Sequence, residues 1–236
     1  MTTNGGVPPG VFVAGTDTGI GKTHAACALL HALRAAGMRA SGMKPVASGC
    51  ERTPLGPRNE DALALIAASD PQPDYATCNP YAFEPAIAPH LAAADVGVDI
   101  ELARIETACA QLAASAECVV VEGVGGWAVP LSGSLDASAI PRTLKLPVIL
   151  VVGLKLGCIN HARLGAQAIQ GDDCELLGFI ANAIDPAMQR ADDNLRTLQE
   201  LLPAPCLGVL PHGVAPAQAA RAGALDRAVR AIRVRP

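Results

Sequence analysis

Aromatic side chains are scarce in this chain: 3% of 236 residues, with one Trp, two Tyr and three Phe. Its apolar content is carried by Ala, Leu and Val, a mix that suits helices packed on aliphatic strands. A cationic excess is also missing. Eighteen Lys and Arg stand against 22 Asp and Glu, for a formal charge of −4. A nucleic-acid binder normally shows a basic face, so that class is set aside. The eight cysteines include no C-x-x-C pair, which argues against a zinc or redox motif. Several fall in apolar runs and read as small core residues, with no disulfide framework expected in a chain of this length. No apolar run is long enough to span a bilayer as a helix; the longest, such as Leu146 to Leu154, falls far short. The opening MTTNGGVPPG has neither a basic n-region nor an apolar h-region. The expectation is a soluble, reduced, cytoplasmic protein with no nucleic-acid or membrane partner.

What is present is a 50% hydrophobic, 17% charged composition, ample for a buried core. Continuous apolar strands alternate with Ala-rich helical stretches. VFVAG (11–15), ASGMKPVAS (40–48, running into a loop), CVVVEG (118–123), LPVILVVG (146–153), LLGFIAN (176–182) and CLGVLP (206–211) read as strands. Residues 23–37, 60–69 and 99–115 have helical character, and Pro/Gly-rich loops fill 49–58 and 79–90. This pattern predicts an α/β fold with a mostly parallel sheet covered by helices on both faces. No composition break marks a second domain. The expectation is one α/β domain over 1–236, with 1–10 a disordered N-terminal extension.

The stretch GTDTGIGKT, Gly15 to Thr23, ends the first strand and opens a helix. That is the context a phosphate loop requires, although its first glycine lies one residue earlier than in G-x-x-x-x-G-K-[ST]. Backbone N–H groups of Gly19, Ile20 and Gly21 would wrap phosphates, Lys22 would reach the β- and γ-oxygens, and the Thr23 hydroxyl would hold Mg²⁺. Glu122 ends strand CVVVE, where an acid can complete a Mg²⁺ shell. The glycines after it allow close approach of a ligand. Lys44 sits at the end of the second strand, facing the same crevice as Lys22 if the sheet is doubly wound. Ser48 follows in that loop. Asp61 opens a predicted helix, either as its N-cap or as a second magnesium carboxylate. KLGCINHA (155–162) reads as a loop entering a helix whose free N–H groups could take an anion, such as a substrate carboxylate. His161 reads as structural, and Cys158 has no evident base.

Taken in order, GTDTGIGKT, GMKPVASG, RNEDALAL, NPYAF, VVVEGVGGW, LPVILVVGLKLGCINHA and IAN resemble the dethiobiotin synthetase family across nearly the whole chain. In that family the loop runs G-T-x-T-x-x-G-K-T, so the odd glycine spacing belongs to the resemblance. The resemblance implies ATP- and Mg²⁺-dependent carboxylation and ring closure of 7,8-diaminononanoate with CO₂ to dethiobiotin, through a carbamate and a carbamic–phosphoric anhydride. It makes Lys44 the catalytic lysine, with Lys22 beside it. Thr18, Ser48 and Gly125 become substrate contacts, and Thr23, Asp61 and Glu122 magnesium positions. Asn182 with Ala183 and the loop Pro211, His212 and Gly213 fall on the adenine side. It further implies a homodimer with a shared site, in which Leu156, Ile159 and Asn160 receive the substrate's carboxylate tail across the interface. Three positions depart from relatives. Gly19 stands where some relatives carry an acid, Asp192-Asp193-Asn194 lies where some have a tyrosine reaching the tail, and His212 stands where an aromatic can occur.

Two rivals share the scaffold. A ParA/MinD-like ATPase switch would carry a further lysine early in the loop, but here Thr16-Asp17-Thr18 holds none. An ATP-dependent amidating enzyme would commonly add a glutamine amidotransferase domain, for which this chain is too short. The C-terminal stretch, with Leu225, Val229 and Ile232 on one helical face and Arg227, Arg230 and Arg233 elsewhere, could lie on a membrane. A helix packed on the sheet is the simpler expectation.

Overall fold

The computed structural model describes residues 10–234. The expected N-terminal extension lies, up to residue 9, outside the described residues, whereas Gly10 already belongs to the first strand. In chain order the elements begin β1 (Gly10–Gly15), α1 (Lys22–Ala35), β2 (Ala40–Met43), β3 (Val46–Ser48), β4 (Glu51–Thr53) and β5 (Gly56–Arg58). They continue with α2 (Glu60–Ala68), α3 (Tyr75–Cys78), β6 (Tyr81–Phe83), α4 (Pro89–Asp95), α5 (Leu102–Ala113), β7 (Cys118–Glu122) and α6 (Ala139–Leu144). The last are β8 (Val148–Gly153), α7 (Cys158–Gly171), β9 (Leu176–Asn182), α8 (Ala191–Leu201), β10 (Cys206–Leu210), α9 (Pro216–Arg221) and α10 (Asp226–Arg233).

The main sheet has six strands in the order β10-β9-β8-β1-β7-β2, and all its pairings are parallel. Alternate side chains of each strand enter opposite cores. Phe12 and Ala14 of β1 join Val119, Val121, Leu150 and Phe179 on one face. Val11 and Val13 join Val120, Ile149, Val151 and Ile180 on the other. Helices cover both faces, which is why these strands read as unbroken apolar runs and not as alternating ones. From β1 the chain moves one way to β2, and after β7 it moves the other way through β8, β9 and β10. Such a reversal opens a crevice at the carboxyl ends of the central strands, where ligands bind in open α/β sheets.

Stretch 40–48, expected as a strand running into a loop, holds two short strands. Pro45 has no N–H to give to a ladder. β2 ends at Met43, and β3 leaves the main sheet to pair with β6. The expected loops 49–58 and 79–90 are more ordered than their Pro/Gly content suggested: the first folds into the antiparallel hairpin β4–β5, and the second contains β6. At the C-terminus, Leu225, Val229 and Ile232 are buried in the second core, so the apolar face of α10 is already used by the fold.

Candidate active site

Gly21 precedes α1 in the left-handed region at φ 82, and no side chain caps the helix. A Cβ there would overlap the Asn182 amide, so only glycine fits. The N–H groups of the first turn are thereby left to a ligand, at the positive end of the helix dipole. Lys22, the first residue of α1, lies back along the loop and donates to the Asp17 carbonyl at 2.8 Å. Burial, and then the neighbouring Lys44 charge, pull its pKa down from 10.5 to about 8. The loop is braced by Lys155, which follows β8 by two residues and places its ammonium 3.1 Å from Asp17 Oδ2. This contact, together with the Thr18 N–H on Asp17 Oδ1, holds the Asp17 carboxyl below its ordinary value.

Facing the loop is a buried charge cluster. Lys44 is 4% exposed. Its Nζ donates to Glu122 Oε1 at 2.6 Å and to Asp61 Oδ2 at 2.9 Å. Desolvation works against this ammonium, but the two carboxylates outweigh it and hold its pKa above the ordinary lysine value. Desolvation likewise opposes the Asp61 charge, and Lys44 overcomes it to leave that pKa lowered. Asp61 is not the helix cap that was one of its two sequence readings. Asn59 is the cap, its Oδ1 accepting from Ala62 N–H at 3.2 Å, so the Asp61 carboxylate is left to face the crevice. Thr23 donates its hydroxyl to Glu122 Oε1 at 2.9 Å.

Thr23, Asp61 and Glu122 suit a hard cation. Glu122 Oε2 is buried with no hydrogen-bond partner, an orphaned acceptor of the kind a cation satisfies. Among the described residues no group of three or more His, Cys, Asp and Glu is arranged to hold a metal by itself. Two carboxylates and a hydroxyl therefore fit Mg²⁺ brought with a nucleotide, since that ion keeps phosphate and water ligands in place of a full protein cage.

These groups line a cavity of about 830 Å³ together with Thr18, Gly19, Ser48 and Gly125. Gly125 lies opposite Thr18: at φ 60, a Cβ on it would be 3.7 Å from Thr18 Oγ1. Several lining residues went unpredicted, among them Asp17, Ala47 and Val124, and three further features stand out. Asn59 is one, the apolar segment Ala86–Pro89 is another, and Gly126 with Val129 the third. Only Asn59 carries a type signal, as an Asx residue before a helical run.

The remaining expected residues lie elsewhere. Ile20 is fully buried beneath the loop. At the carboxyl end of β9, Asn182 donates its amide to the Ile20 carbonyl at 2.9 Å. Ala183 N–H donates to Leu210 O at 2.9 Å, and the exposed His212 places Nδ1 3.1 Å from Ala183 O. Asn182, Ala183 and the Pro211–Gly213 loop thus form one patch, joined to the phosphate loop through Asn182. Leu156, Ile159 and Asn160 are outside the cavity of their own chain. They flank Gly157, which starts α7 at φ 94 without a side-chain cap, and Leu156 is 94% exposed.

Comparison with known proteins bears on the fold and the family. A family model described as an AAA domain matches residues 9–215. The chain is 64% identical to the ATP-dependent dethiobiotin synthetase BioD of Xanthomonas euvesicatoria over 86% of its length and 91% of that protein. It is 56% identical to the protein of the same name from Xylella fastidiosa, over 87% and 92%. Among solved structures it resembles the cell division ATPase MinD of Pyrococcus furiosus, with TM-score 0.58, 14% identity and coverage of 95% and 98%. It also resembles MinD of Pyrococcus horikoshii in complex with Mg-ADP, with TM-score 0.56, 14% identity and coverage of 95% and 96%. At such identity the MinD likeness shows the fold alone, whereas the close sequence matches decide the family: this chain belongs to the dethiobiotin synthetases.

Proposed function

We propose that the chain is an ATP-dependent dethiobiotin synthetase, closing the ureido ring of dethiobiotin from 7,8-diaminononanoate and CO₂ with release of ADP and phosphate. The observation that carries this reading is the buried Lys44 ammonium, shared by Glu122 and Asp61 across from the phosphate loop. In the first step one substrate amine adds to CO₂ and loses a proton, giving a carbamate. A carbamate oxygen then forms a bond to the γ-phosphorus as the bond to ADP breaks, giving a carbamic–phosphoric anhydride. Finally the second amine attacks the carbonyl carbon, phosphate leaves, and a proton is lost.

The middle step brings an anion to a polyanion, so charge crowding is its main obstacle. Lys22 and Lys44 both line the cavity, and charges already fixed in place need no reorganisation as charge shifts. Mg²⁺, held by Thr23, Asp61 and Glu122, would supply neutralisation at the phosphates. Lys44, whose ammonium lines the cavity beside these carboxylates, would pair with the carbamate. Thr18, Ser48 and the backbone at Gly125 orient the diamine, which supports attack in one geometry. Asn182, Ala183 and the Pro211–Gly213 loop take the adenine side. Leu156, Ile159 and Asn160, outside the cavity of their own chain, suit a homodimer in which each subunit binds its partner's substrate tail at the start of α7. All eight cysteines are free and buried, as suits a reducing, cytoplasmic setting.

The test is to supply 7,8-diaminononanoate, Mg·ATP and ¹³C-bicarbonate and to follow the product by mass spectrometry. Dethiobiotin carrying the label in its ureido carbonyl is expected. ATP hydrolysis with no labelled ring would overturn the reading.

A further inference from the structure

Lys44 is held at both ends. Its ammonium meets Glu122 and Asp61, while its backbone carbonyl accepts from Asn79 Nδ2 at 2.6 Å. The same Nδ2 donates to Tyr81 O at 3.1 Å. Two carbonyls on one side of the amide leave its Oδ1 as the acceptor on the other, and Tyr75 Oη donates to it at 2.9 Å. That hydroxyl accepts in turn from the Asn59 N–H at 2.7 Å. Asn59 caps α2 with its side chain, and two residues later Asp61 returns to the Lys44 ammonium. The circuit Lys44–Asn79–Tyr75–Asn59–Asp61 is therefore closed. Asn79 is buried, and the Arg58 guanidinium packs 4.1 Å above the Tyr75 ring centroid. Burial pushes the Tyr75 phenol above its ordinary pKa, so it stays protonated and able to donate.

We infer that Asn79 and Tyr75, neither of which lines the cavity, are positioning residues that fix the distance between Lys44 and Asp61 through this ring. Lys44, just past β2, and Asp61, in α2, belong to separate elements, and their pair alone is a poor ruler because a lysine side chain has many rotamers. An amide with both ends occupied has one orientation. It sets where the Lys44 main chain leaves β2, and the phenol sets where α2 begins. Loss of either link lets α2 drift and spreads the Lys44 and Asp61 positions. Assignment of Lys44 and Asp61 to reaction and magnesium binding rests on the proposed function, but the ring itself does not.

The test compares Tyr75→Phe with wild type in the full-length protein. Three readouts are taken: the melting transition, kcat for dethiobiotin, and the Mg²⁺ dependence of ATP affinity by calorimetry. Outer partners of metal-site ligands typically contribute about 10- to 100-fold, and a loss in that range is expected in kcat. The expected companion is an increase of about tenfold or more in the Mg²⁺ needed for half-maximal ATP affinity, with a cooperative melt retained. A merely structural role would move the melt while folded protein kept wild-type kcat and Mg²⁺ dependence, and that result overturns the inference. Should Tyr75→Phe not fold, Asn79→Ser is read in the same way. If neither folds, the ring is a core element and the inference fails. Wild type that makes no dethiobiotin contradicts the proposed function only, because the Mg²⁺ dependence of ATP binding still reports on the ring.

Discussion

The two ends of the crevice are built differently. Around Lys44 the site is made of opposite charges at 2.6–2.9 Å, with Lys44 and Glu122 buried and Asp61 half-exposed. On the proposed adenine side every contact ends on a main-chain carbonyl and none pairs two charges: the Asn182 amide holds Ile20 O, the Ala183 N–H holds Leu210 O, and the exposed His212 ring rests on Ala183 O. Substitution should therefore act unevenly. Where side-chain charge is buried, removing one group strands another, and the penalty is large. Where backbone makes the contacts, most side chains can change with little loss.

The largest expected effect is at Glu122, which is 0% exposed. Glu122→Gln leaves Lys44 with the half-exposed Asp61 as its one carboxylate. Breaking a buried pair from one side costs about 3–5 kcal/mol. A strongly lowered denaturation midpoint is expected, together with an ATP affinity that no longer responds to Mg²⁺; unchanged values for both would remove the contrast between the two ends. Next is Lys22. With its pKa near 8, the free protein loses this cation above that pH, so Mg·ATP affinity should fall by about tenfold per pH unit there. Titration calorimetry between pH 7 and 9.5 in two buffers of different ionisation enthalpy would also detect the proton taken up on binding. The linked stability has the opposite sign. Between pH 8 and the unfolded lysine's 10.5, the unfolded chain binds the extra proton, so folding stability from this group rises with pH.

Asn182→Ala tests the main-chain end. It removes one hydrogen bond to a buried carbonyl, about 1–1.5 kcal/mol or roughly tenfold. The KM for ATP should rise by that factor while kcat stays near wild type. His212→Ala should be the mildest, within about twofold, because its single contact is exposed. A His212 effect larger than the Asn182 effect would show that the adenine side also relies on side-chain recognition.

The same contrast decides what could be read from sequence. Lys22, Thr23, Lys44, Asp61 and Glu122 were legible because their chemistry needs those residue types at strand ends and helix starts, and all of them line one cavity. The strands of the main sheet were legible because burial on both faces leaves an unbroken aliphatic run, as in β7 and β8. Other features left no such mark. The wall Ala86–Pro89 is lined by ordinary apolar residues whose place depends on the β3–β6 pairing. That pairing joins residues more than thirty positions apart, and three-residue strands have too few positions to show a period. Nothing local in the sequence pairs Asp17 with Lys155; the β1–β8 register sets their loops side by side. Asn79 was visible only as part of NPYAF, with nothing local to say that its amide would grip Lys44.

Activity of Lys44→Ala beside wild type tests the account most directly. The quantity is kcat for dethiobiotin from 7,8-diaminononanoate, bicarbonate and Mg·ATP, with the fold checked by circular dichroism. Removal of a preorganised charge from a buried site predicts a loss of about 10²–10³-fold, with the folded spectrum retained. Dethiobiotin formed at the wild-type rate by folded Lys44→Ala would contradict the claim that this ammonium carries the reaction.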